Sequence, residues 1–288
     1  MDLSIVIVSF NTKKLLSDCL SGIFSSLRDA NFTYEVLVVD NGSTDGTPDM
    51  VQERYPDVKL RKNDKNVGFG KANNQAIDIA RGRTILLLNS DTVVLENAIE
   101  LLYKFSLRHP RSFIAPKLLN VDRTVQTSCG PFFTLAVVFV SLFLKGDTLR
   151  VTRWSPSKVS SVDWVSGAAV MAPKHIFLDG LLFDENMFLY MEEVDLLYRA
   201  KKKGYEVIFY PSAHVVHVGA GSSASGIQTP ILNIYKGLLY FYRKHYGKRK
   251  LRFLKLLLKA KAMLAIAVGF ILNSKRLKKT YEEAYRLV

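Results

Sequence analysis

Apolar and polar positions in the first half of the chain alternate between two periods. Residues 3–10 form a short apolar run that is typical of a buried strand. The apolar positions that follow recur every three or four residues up to Leu27, as on one face of a helix. Further strands are predicted at residues 34–40, 58–61, 84–88 and about 112–118, and further helices from about residue 44, at 71–80 and at about 95–107. This alternation predicts an α/β fold with a mainly parallel sheet and helices on both faces.

Polar side chains stand at the end of three of these predicted strands. In open sheets of parallel strands, ligands bind beyond the carboxyl ends of the strands. The residues at or just after these ends are Ser9, Asn11, Asp40, Asn41, Asn89 and Asp91. The pattern therefore predicts a binding site at this edge of the sheet.

The positive charge of the chain lies in one segment. The formal net charge is +14, and residues 236–279 hold fourteen Lys or Arg and no Asp or Glu, so the rest of the chain is formally neutral. Nucleic-acid-binding domains usually carry basic residues on the folded domain itself. A basic segment rich in Leu, Phe and Tyr fits an anionic membrane surface better, and we expect no nucleic-acid partner.

Two apolar runs, at residues 131–144 and 262–272, are shorter than the roughly 20 residues that a membrane-spanning helix needs. The first is either buried core or a surface that faces a membrane or a lipid acceptor. The basic residues before the second recur at helical spacing, with leucines between them: Lys248, Arg252, Lys255 and Lys259, with Leu251, Leu254 and Leu258. This segment is either an amphipathic helix in the membrane interface or a helix packed on the main domain with solvated lysines.

The two cysteines, Cys19 and Cys129, match no metal-ligand spacing, which fits a reducing compartment. The start of the chain does not resemble a signal peptide. We therefore expect a cytoplasmic protein, peripheral at the inner face of the cell membrane.

Asp40 and the pair Asn89 and Asp91 are candidates for donor and metal contacts. A carboxylate at a strand end can accept a hydrogen bond from a nucleobase imide, although the sequence Asp-Asn-Gly is also a common turn. Asn89 and Asp91 are two residues apart and follow four aliphatic residues, so both can present oxygens to one hard cation such as Mg²⁺ or Mn²⁺. The alternative for Asp91 is a helix cap.

Residues 184–199 contain a cluster of acids beside an apolar stretch. Glu192, Glu193 and Asp195 fall within four residues and follow Phe-Leu-Tyr-Met. Burial and like charge raise the pKa of a carboxyl group, which suits a general base. Arg199 stands four residues after Asp195 and can pair with it on a helix. The alternative is a helix N-terminus, where acidic residues are common.

His214 and His217 precede a Gly- and Ser-rich stretch that runs to Gly226. A neutral imidazole from this pair can complete a metal site near Asp91. A packed or solvated histidine is the alternative.

In their order along the chain, these stretches resemble the family 2 glycosyltransferases with the GT-A fold, especially the bacterial rhamnosyltransferase-like members. The matching stretches are IVIVSFN at 5–11, VVDNGS at 38–43, NVGFGKANN at 66–74, LNSD at 88–91, WVSGA at 164–168, MEEVD at 191–195 and the loop at His217. The resemblance covers about residues 3–225. It predicts a GT-A domain at 1–225 and a basic helical, membrane-associating region at 226–288.

The resemblance implies a role for each matching residue. Glu193 takes the position of the catalytic base, and Asp91 that of the key metal ligand with His217 as a second ligand. Donor contacts are implied for Ser9, Asn11, Asp40, Gly68, Asn73 and Asn89, and acceptor-side or supporting roles for Trp164, Gly167, Glu192, Asp195 and Arg199. The implied cofactor is Mg²⁺ or Mn²⁺, and the implied partners are a nucleoside-diphosphate sugar and a glycan or lipid-linked glycan acceptor.

The sequence departs from the family pattern at two positions. Asn89 stands where many members have Asp, which weakens its assignment as a ligand, and the base is Glu rather than the commoner Asp. The implied reaction is one displacement with inversion, with rhamnose from a thymidine-diphosphate donor or otherwise a UDP-sugar, in cell-surface polysaccharide synthesis.

Other functional classes fit the sequence less well. The stretch GFGKAN at 68–73 lacks the third glycine of a dinucleotide-binding motif and does not follow the first strand, which argues against a dehydrogenase. A nucleotidyltransferase and an inactive membrane-tethered nucleotide-sugar binder are alternatives, and a homodimer stays open.

Overall fold

In the computed structural model, which describes residues 1–219 and 228–288, a mixed central sheet separates two layers of helices. The strands are β1 Leu3–Ser9, β2 Tyr34–Asp40, β3 Lys59–Lys62, β4 Thr84–Asn89, β5 Thr92–Val94, β6 Ser112–Leu119, β7 Cys129–Gly130, β8 Ser160–Ser161, β9 Trp164–Val165, β10 Ala169–Pro173 and β11 Glu206–His217. The helices are α1 Lys13–Ser26, α2 Thr47–Arg54, α3 Phe69–Ile79, α4 Ala98–Leu107, α5 Leu135–Phe143, α6 Lys174–Leu178, α7 Glu192–Lys202, α8 Gln228–His245, α9 Gly247–Ile271 and α10 Lys275–Arg286.

The main sheet has the strand order β3-β2-β1-β4-β10-β6-β11-β5. Neighbouring strands from β3 to β4 are parallel, and so are β6 and β11. This confirms the predicted mainly parallel sheet. The sequence did not predict β10, which lies antiparallel between β4 and β6. The strands between residues 129 and 173 have two to five residues, too few for a periodic pattern to identify them.

Two hydrophobic cores lie on opposite faces of the sheet because successive side chains of a strand point to opposite faces. Val6 and Leu87 contribute to the core under α3, α7 and α8. Ile5 and Leu88 contribute to the core under α1 and α4. Strands β1, β2 and β4 are buried on both faces, which explains why their sequences are nearly continuous apolar runs.

The segment after Asp91 differs from the prediction. Helix α4 begins at Ala98 rather than near residue 95, because Thr92–Val94 form β5 and pair with the end of β11. Asp91 therefore precedes a strand, and the helix-cap interpretation of this residue is wrong.

The C-terminal helices share the first core with the sheet. Tyr235, Leu238 and Phe241 of α8 are buried in it, and Leu254 and Leu258 of α9 are fully buried. The leucine face of α9 thus packs on the main domain, as one of the two sequence alternatives had it. The predicted boundary between residues 225 and 226 lies outside the described residues.

A second side of α9 is apolar and exposed. Large apolar side chains recur along it at helical spacing and are 55% to 82% exposed: Phe253, Leu256, Met263, Leu264, Phe270 and Ile271. Within the described ranges, no helix has both the length and the apolar character that crossing a membrane requires.

The first apolar run forms helix α5, which lies against α9. Val138 is buried, whereas Phe139 and Leu144 are exposed. Residues 131–144 therefore contribute both to the core and to the surface.

Candidate active site

The end of β4 is joined to the segment before β10. The backbone N–H of Asn89 donates to the Ala168 carbonyl over 2.9 Å. Asn89 Oδ1 is buried and accepts no hydrogen bond from residues 1–219 or 228–288. A buried amide oxygen without a donor is unfavourable, so this atom fits a contact to a bound ligand.

Asp91 and His217 meet because β5 pairs with the end of β11, where Thr92 lies opposite His217. The distance from His217 Nε2 to Asp91 Oδ1 is 3.4 Å. Gln126 fixes the imidazole, since its Nε2 donates to the His217 carbonyl (3.2 Å) and its Oε1 lies 2.8 Å from His217 Nδ1. With the Gln126 amide in this orientation, His217 Nδ1 donates its hydrogen to Gln126 Oε1. In a neutral imidazole the other nitrogen, Nε2, then carries a lone pair that points towards Asp91.

This arrangement fits a divalent cation. A lone pair and a carboxylate that face each other are stabilised by a cation that both can bind. In the described part of the chain, no three His, Cys, Asp or Glu side chains form a metal cluster. Two protein ligands with diphosphate and water oxygens are the usual coordination of Mg²⁺ at phosphate sites. Asp91 and His217 would hold such an ion.

The two carboxylate oxygens of Asp40 have different surroundings. Its Oδ2 accepts the backbone N–H groups of Gly42 (3.2 Å) and Ser43 (2.9 Å), which is the turn that the sequence suggested. Its Oδ1 is buried and has no hydrogen-bond partner among the residues described. Because Asp40 ends β2 at the same sheet edge as β4, this oxygen is placed for a donor contact.

Three predicted donor contacts make hydrogen bonds within the protein. Ser9 is fully buried, and its hydroxyl lies 2.8 Å from that of Thr12. Asn11 has a positive φ of 52° and accepts the Thr44 N–H on its Oδ1 over 2.8 Å. Asn73 is buried on α3 and donates to the Phe69 carbonyl over 2.9 Å. These side chains position the loops around the site.

Gly68 connects the donor side to the acidic cluster. Its φ is +92°, and a β-carbon there would lie 3.0 Å from the Phe188 carbonyl oxygen. The next residue, Phe69, donates its N–H to that carbonyl over 3.1 Å. Glycine is therefore needed for the backbone conformation and for the close approach.

Glu193 is the second residue of α7 and lies beside the segment that leads into β10. A β-carbon on Gly167 would lie 3.5 Å from the β-carbon of Glu193 and 3.8 Å from an edge atom of the Phe69 ring. The two residues that precede α7 have left-handed φ angles, 69° at Tyr190 and 73° at Met191. Such strain in residues other than glycine is concentrated at functional sites.

The carboxyl groups here have perturbed pKa values. Burial and the charge of Glu193 raise the pKa of Glu192 well above its ordinary value. Burial raises the pKa of Glu193, while backbone hydrogen bonding and the positive charge of Arg153 oppose the rise. Burial, with the charges of Glu192, Glu193 and Asp91, raises the pKa of Tyr190. The charges of the predicted base and of the predicted metal ligand thus both act on the Tyr190 hydroxyl.

Asp195 is buried beneath this site. Arg199 Nε lies 2.7 Å from its carboxylate, the pair that the spacing predicted. Lys244 and His245 of α8 also contact it, at 2.9 Å and 2.7 Å. Burial favours the neutral acid, but the His245 hydrogen bond and the charges of Arg199 and Lys244 lower the pKa of Asp195. Asp195 is therefore a structural anion that joins α7 to α8.

Trp164 of β9 is three residues before Gly167 and is held by neighbouring residues. Its Nε1 donates to the Pro131 carbonyl over 2.9 Å, and its ring stacks on Phe133. Arg153 lies over the ring, with Cζ 5.5 Å from its centre. The sequence did not identify Arg153, Gln126, Tyr190 or His245. An unpaired Gln, Arg or Tyr carries no spacing signal, since its partner is distant along the chain.

The fold is that of the GT-A glycosyltransferases. The chain superposes on Staphylococcus aureus TarS 1-349 with a TM-score of 0.54 and 16% identity, covering 100% of this chain and 92% of that one. It superposes on a mannosyltransferase from Pyrobaculum calidifontis, solved with GDP-Man and Mn²⁺, with a TM-score of 0.58 and 16% identity, covering 98% and 73%.

The sequence gives the family. Residues 4–126 match the model of glycosyl transferase family 2. The chain is 31% identical over 208 residues to the N-acetylglucosaminyl-diphospho-decaprenol L-rhamnosyltransferase of Mycobacterium tuberculosis, covering 65% of this chain and 67% of that protein. It is 31% identical over 216 residues to a poly(ribitol-phosphate) beta-glucosyltransferase of Bacillus spizizenii, covering 71% and 33%. The chain belongs to glycosyl transferase family 2, as its motifs predicted.

Proposed function

We propose that this protein is a metal-dependent, inverting glycosyltransferase of cell-surface glycan synthesis, with Glu193 as its base. The observation that carries the proposal is the convergence of three segments. The Asn89 N–H donates to the Ala168 carbonyl, and a β-carbon on the adjacent Gly167 would lie 3.5 Å from that of Glu193. The charges of Glu193 and Asp91 both raise the pKa of Tyr190, which precedes α7. The metal side and the base side are thus parts of one site.

The proposed reaction is a single displacement. The acceptor hydroxyl oxygen forms a bond to the anomeric carbon of the sugar, and the bond from that carbon to the nucleoside diphosphate breaks. Glu193 takes the hydroxyl proton, which its raised pKa favours. A divalent ion held by Asp91 and His217 would neutralise the charge of the departing diphosphate.

For the donor, we propose a thymidine-diphosphate rhamnose, or otherwise a UDP-sugar. The mycobacterial relative is named as a rhamnosyltransferase and the Bacillus relative as a glucosyltransferase. Asp40 Oδ1 suits the imide N–H that thymine and uracil share, so the base contact is compatible with both donors.

For the acceptor, we propose a lipid-linked glycan at an anionic membrane surface. The mycobacterial relative is named for an acceptor of this class. The exposed apolar side of α9 runs beside the basic side chains of Arg252 and Lys259, which is the distribution of an interfacial helix. The region at 226–288 would then both complete the core of the domain at 1–225 and contact the membrane.

The experiment is a thermal-shift panel of nucleotide sugars with Mn²⁺, followed by a transfer assay with the donors that bind. We expect stabilisation by a thymidine- or uridine-diphosphate sugar and product from it. A chain that binds a donor but transfers no sugar to any acceptor and hydrolyses none of it would be a nucleotide-sugar binder instead.

A further inference from the structure

Arg153 is held at a fixed position beside β7. The next residue, Trp154, exchanges backbone hydrogen bonds of 2.9 Å and 3.1 Å with Cys129. On the other side of Arg153, the Thr152 carbonyl packs against Gly130. A β-carbon on Gly130 would lie only 2.5 Å from this carbonyl oxygen. The backbone around Arg153 therefore has little freedom to move away from β7.

Residues 1–219 and 228–288 leave the guanidinium group of Arg153 only partly satisfied. The side chain is half-buried, and its Nε is buried without a hydrogen-bond partner in residues 1–219 and 228–288. Over the same residues it forms no ion pair at 4 Å or less. Removing a cation from water without a partner is costly, so a bound anion would stabilise this group.

Arg153 lies beside Trp164 of β9 and not at the strand ends that carry the donor candidates. The donor candidates are at the ends of β1, β2 and β4, whereas Arg153 rests on Trp164 of β9, and Gly167, three residues on from Trp164, lies against Glu193. The charge of Arg153 reaches Glu193, since it opposes the rise in the pKa of that carboxyl. A base contacts the acceptor, so a cation whose charge acts on the base is also placed to act on an anionic acceptor.

The surface next to Arg153 combines exposed apolar side chains with the charged residues Lys145, Asp147 and Arg150. Leu149 and Val151 shortly before it are 66% and 57% exposed, and Phe139 and Leu144 of the α5 segment are also exposed. If a ligand places an anionic group beside Arg153, an apolar part of the same ligand can therefore lie against these exposed apolar side chains. This combination fits a lipid phosphate rather than a free sugar.

Resting on the proposed function, we infer that Arg153, stacked on Trp164, binds a phosphate group that links the acceptor sugar to its lipid. The planar guanidinium can donate two hydrogen bonds to one phosphate, which a lysine ammonium cannot reproduce. The lipid would then lie along the exposed residues of α5 and of the loop after it. Arg153 is an acceptor-binding residue in this assignment.

Tryptophan fluorescence tests the binding directly, with farnesyl diphosphate as the probe and farnesol as its uncharged counterpart. The titrations are made in EDTA, so that no divalent ion bridges the diphosphate to Asp91. We expect Arg153→Gln to weaken binding of farnesyl diphosphate by about tenfold or more, the scale of a charge-assisted pair of hydrogen bonds. Arg153→Lys should fall between it and the wild type, and farnesol should bind all three alike.

Two further variants locate the effect. Arg150→Gln removes an exposed arginine three residues away and should bind farnesyl diphosphate as the wild type does. Asp91→Ala should also keep this binding while it loses metal-dependent binding of the nucleotide sugar. Equal binding by Arg153→Gln and the wild type, with unchanged melting temperatures, would overturn the inference.

A loss of nucleotide-sugar binding in Arg153→Gln, with farnesyl diphosphate binding retained, would also overturn it and would move Arg153 to the donor. Failure of the proposed function would give a different result from failure of this inference. In that case the wild type itself would bind no nucleotide sugar in the presence of Mn²⁺.

Discussion

Gly167 faces Glu193 so closely that a β-carbon on Gly167 would be in van der Waals contact with the β-carbon of Glu193, at 3.5 Å. The two residues are far apart in the chain, and Gly167 adjoins Ala168, whose carbonyl accepts the Asn89 N–H. The contact therefore brings the helix start that carries the proposed base to the strand end that carries the proposed metal ligand.

Replacing the proposed base should remove transfer but keep donor binding. Glu193→Gln retains the shape of the side chain and loses the proton acceptor, so kcat should fall by roughly 10²-fold or more. Initial rates with saturating donor measure this, and calorimetry measures the donor affinity. Glu53→Gln changes an exposed glutamate on α2 and should have normal kinetics. Near-normal turnover of Glu193→Gln would remove Glu193 from the role.

The pH dependence of the rate should reflect the raised pKa of Glu193. The base acts in its deprotonated form, so activity should be lost as the pH falls through the pKa of Glu193. This loss should occur at a higher pH than for an ordinary glutamate, whose pKa is about 4.3. Arg153→Gln removes a charge that stabilises the carboxylate and should move the acidic limb of kcat/KM to higher pH. An unchanged limb in that variant would contradict the electrostatic contact between the two residues.

Removing the proposed metal ligand should abolish metal-dependent donor binding. Asp91→Ala should bind the nucleotide sugar equally weakly with and without Mn²⁺, as measured by calorimetry. Asp18→Ala, an exposed aspartate on α1, is the control. Gln126→Leu tests the same site more mildly, because it removes the partner that orients the His217 imidazole but keeps both proposed ligands. The affinity for Mn²⁺ should fall by about 10- to 100-fold in this variant. Full Mn²⁺ dependence in Asp91→Ala would disprove the site.

Loss of the contact between α7 and α8 should destabilise the whole domain. His245→Ala removes one hydrogen bond to the buried Asp195, and the free energy of unfolding at pH 7 should fall by about 1.5–3 kcal/mol. The pKa of Asp195 is lowered by folding, so this stabilisation is present above the unfolded pKa, about 3.9. It should disappear as the pH falls through the folded pKa.

Urea unfolding at pH 7 and pH 3 measures the effect. His175→Ala, an exposed histidine on α6, is the control and should unfold like the wild type. Two separate unfolding transitions in the wild type would mean that the C-terminal helices form an independent unit, as the boundary predicted from the sequence implied.

The exposed side of α9 should determine membrane binding. Replacing Phe270 and Ile271 by serine, or Arg252 and Lys259 by glutamine, should each reduce binding to vesicles that contain phosphatidylglycerol by about tenfold or more. Flotation with and without the anionic lipid measures this. Leu107→Ser changes an exposed leucine on α4 and should have no effect. Equal flotation of all variants would leave α9 as a packing helix only.

The sequence by itself determined the strands and helices of the first half of the chain. Continuous apolar runs identified β1, β2, β4 and β6, because burial on both faces of a sheet requires such runs, and the helical spacing between them identified the helices. The family motifs then supplied Asp91, Glu193 and His217 as candidates, and the spacing of Asp195 and Arg199 on α7 predicted their ion pair.

The tertiary structure alone decided which distant residues meet. Gln126, Arg153 and His245 belong to none of the motifs, and each acquires a role only because the fold lets it act on His217, Glu193 or Asp195. The antiparallel β10 was likewise invisible, since a strand of five residues carries no periodic signal and its place depends on pairing with strands far along the chain. Periodicity records which side of an element is buried, whereas contacts between elements depend on the packing of the whole domain.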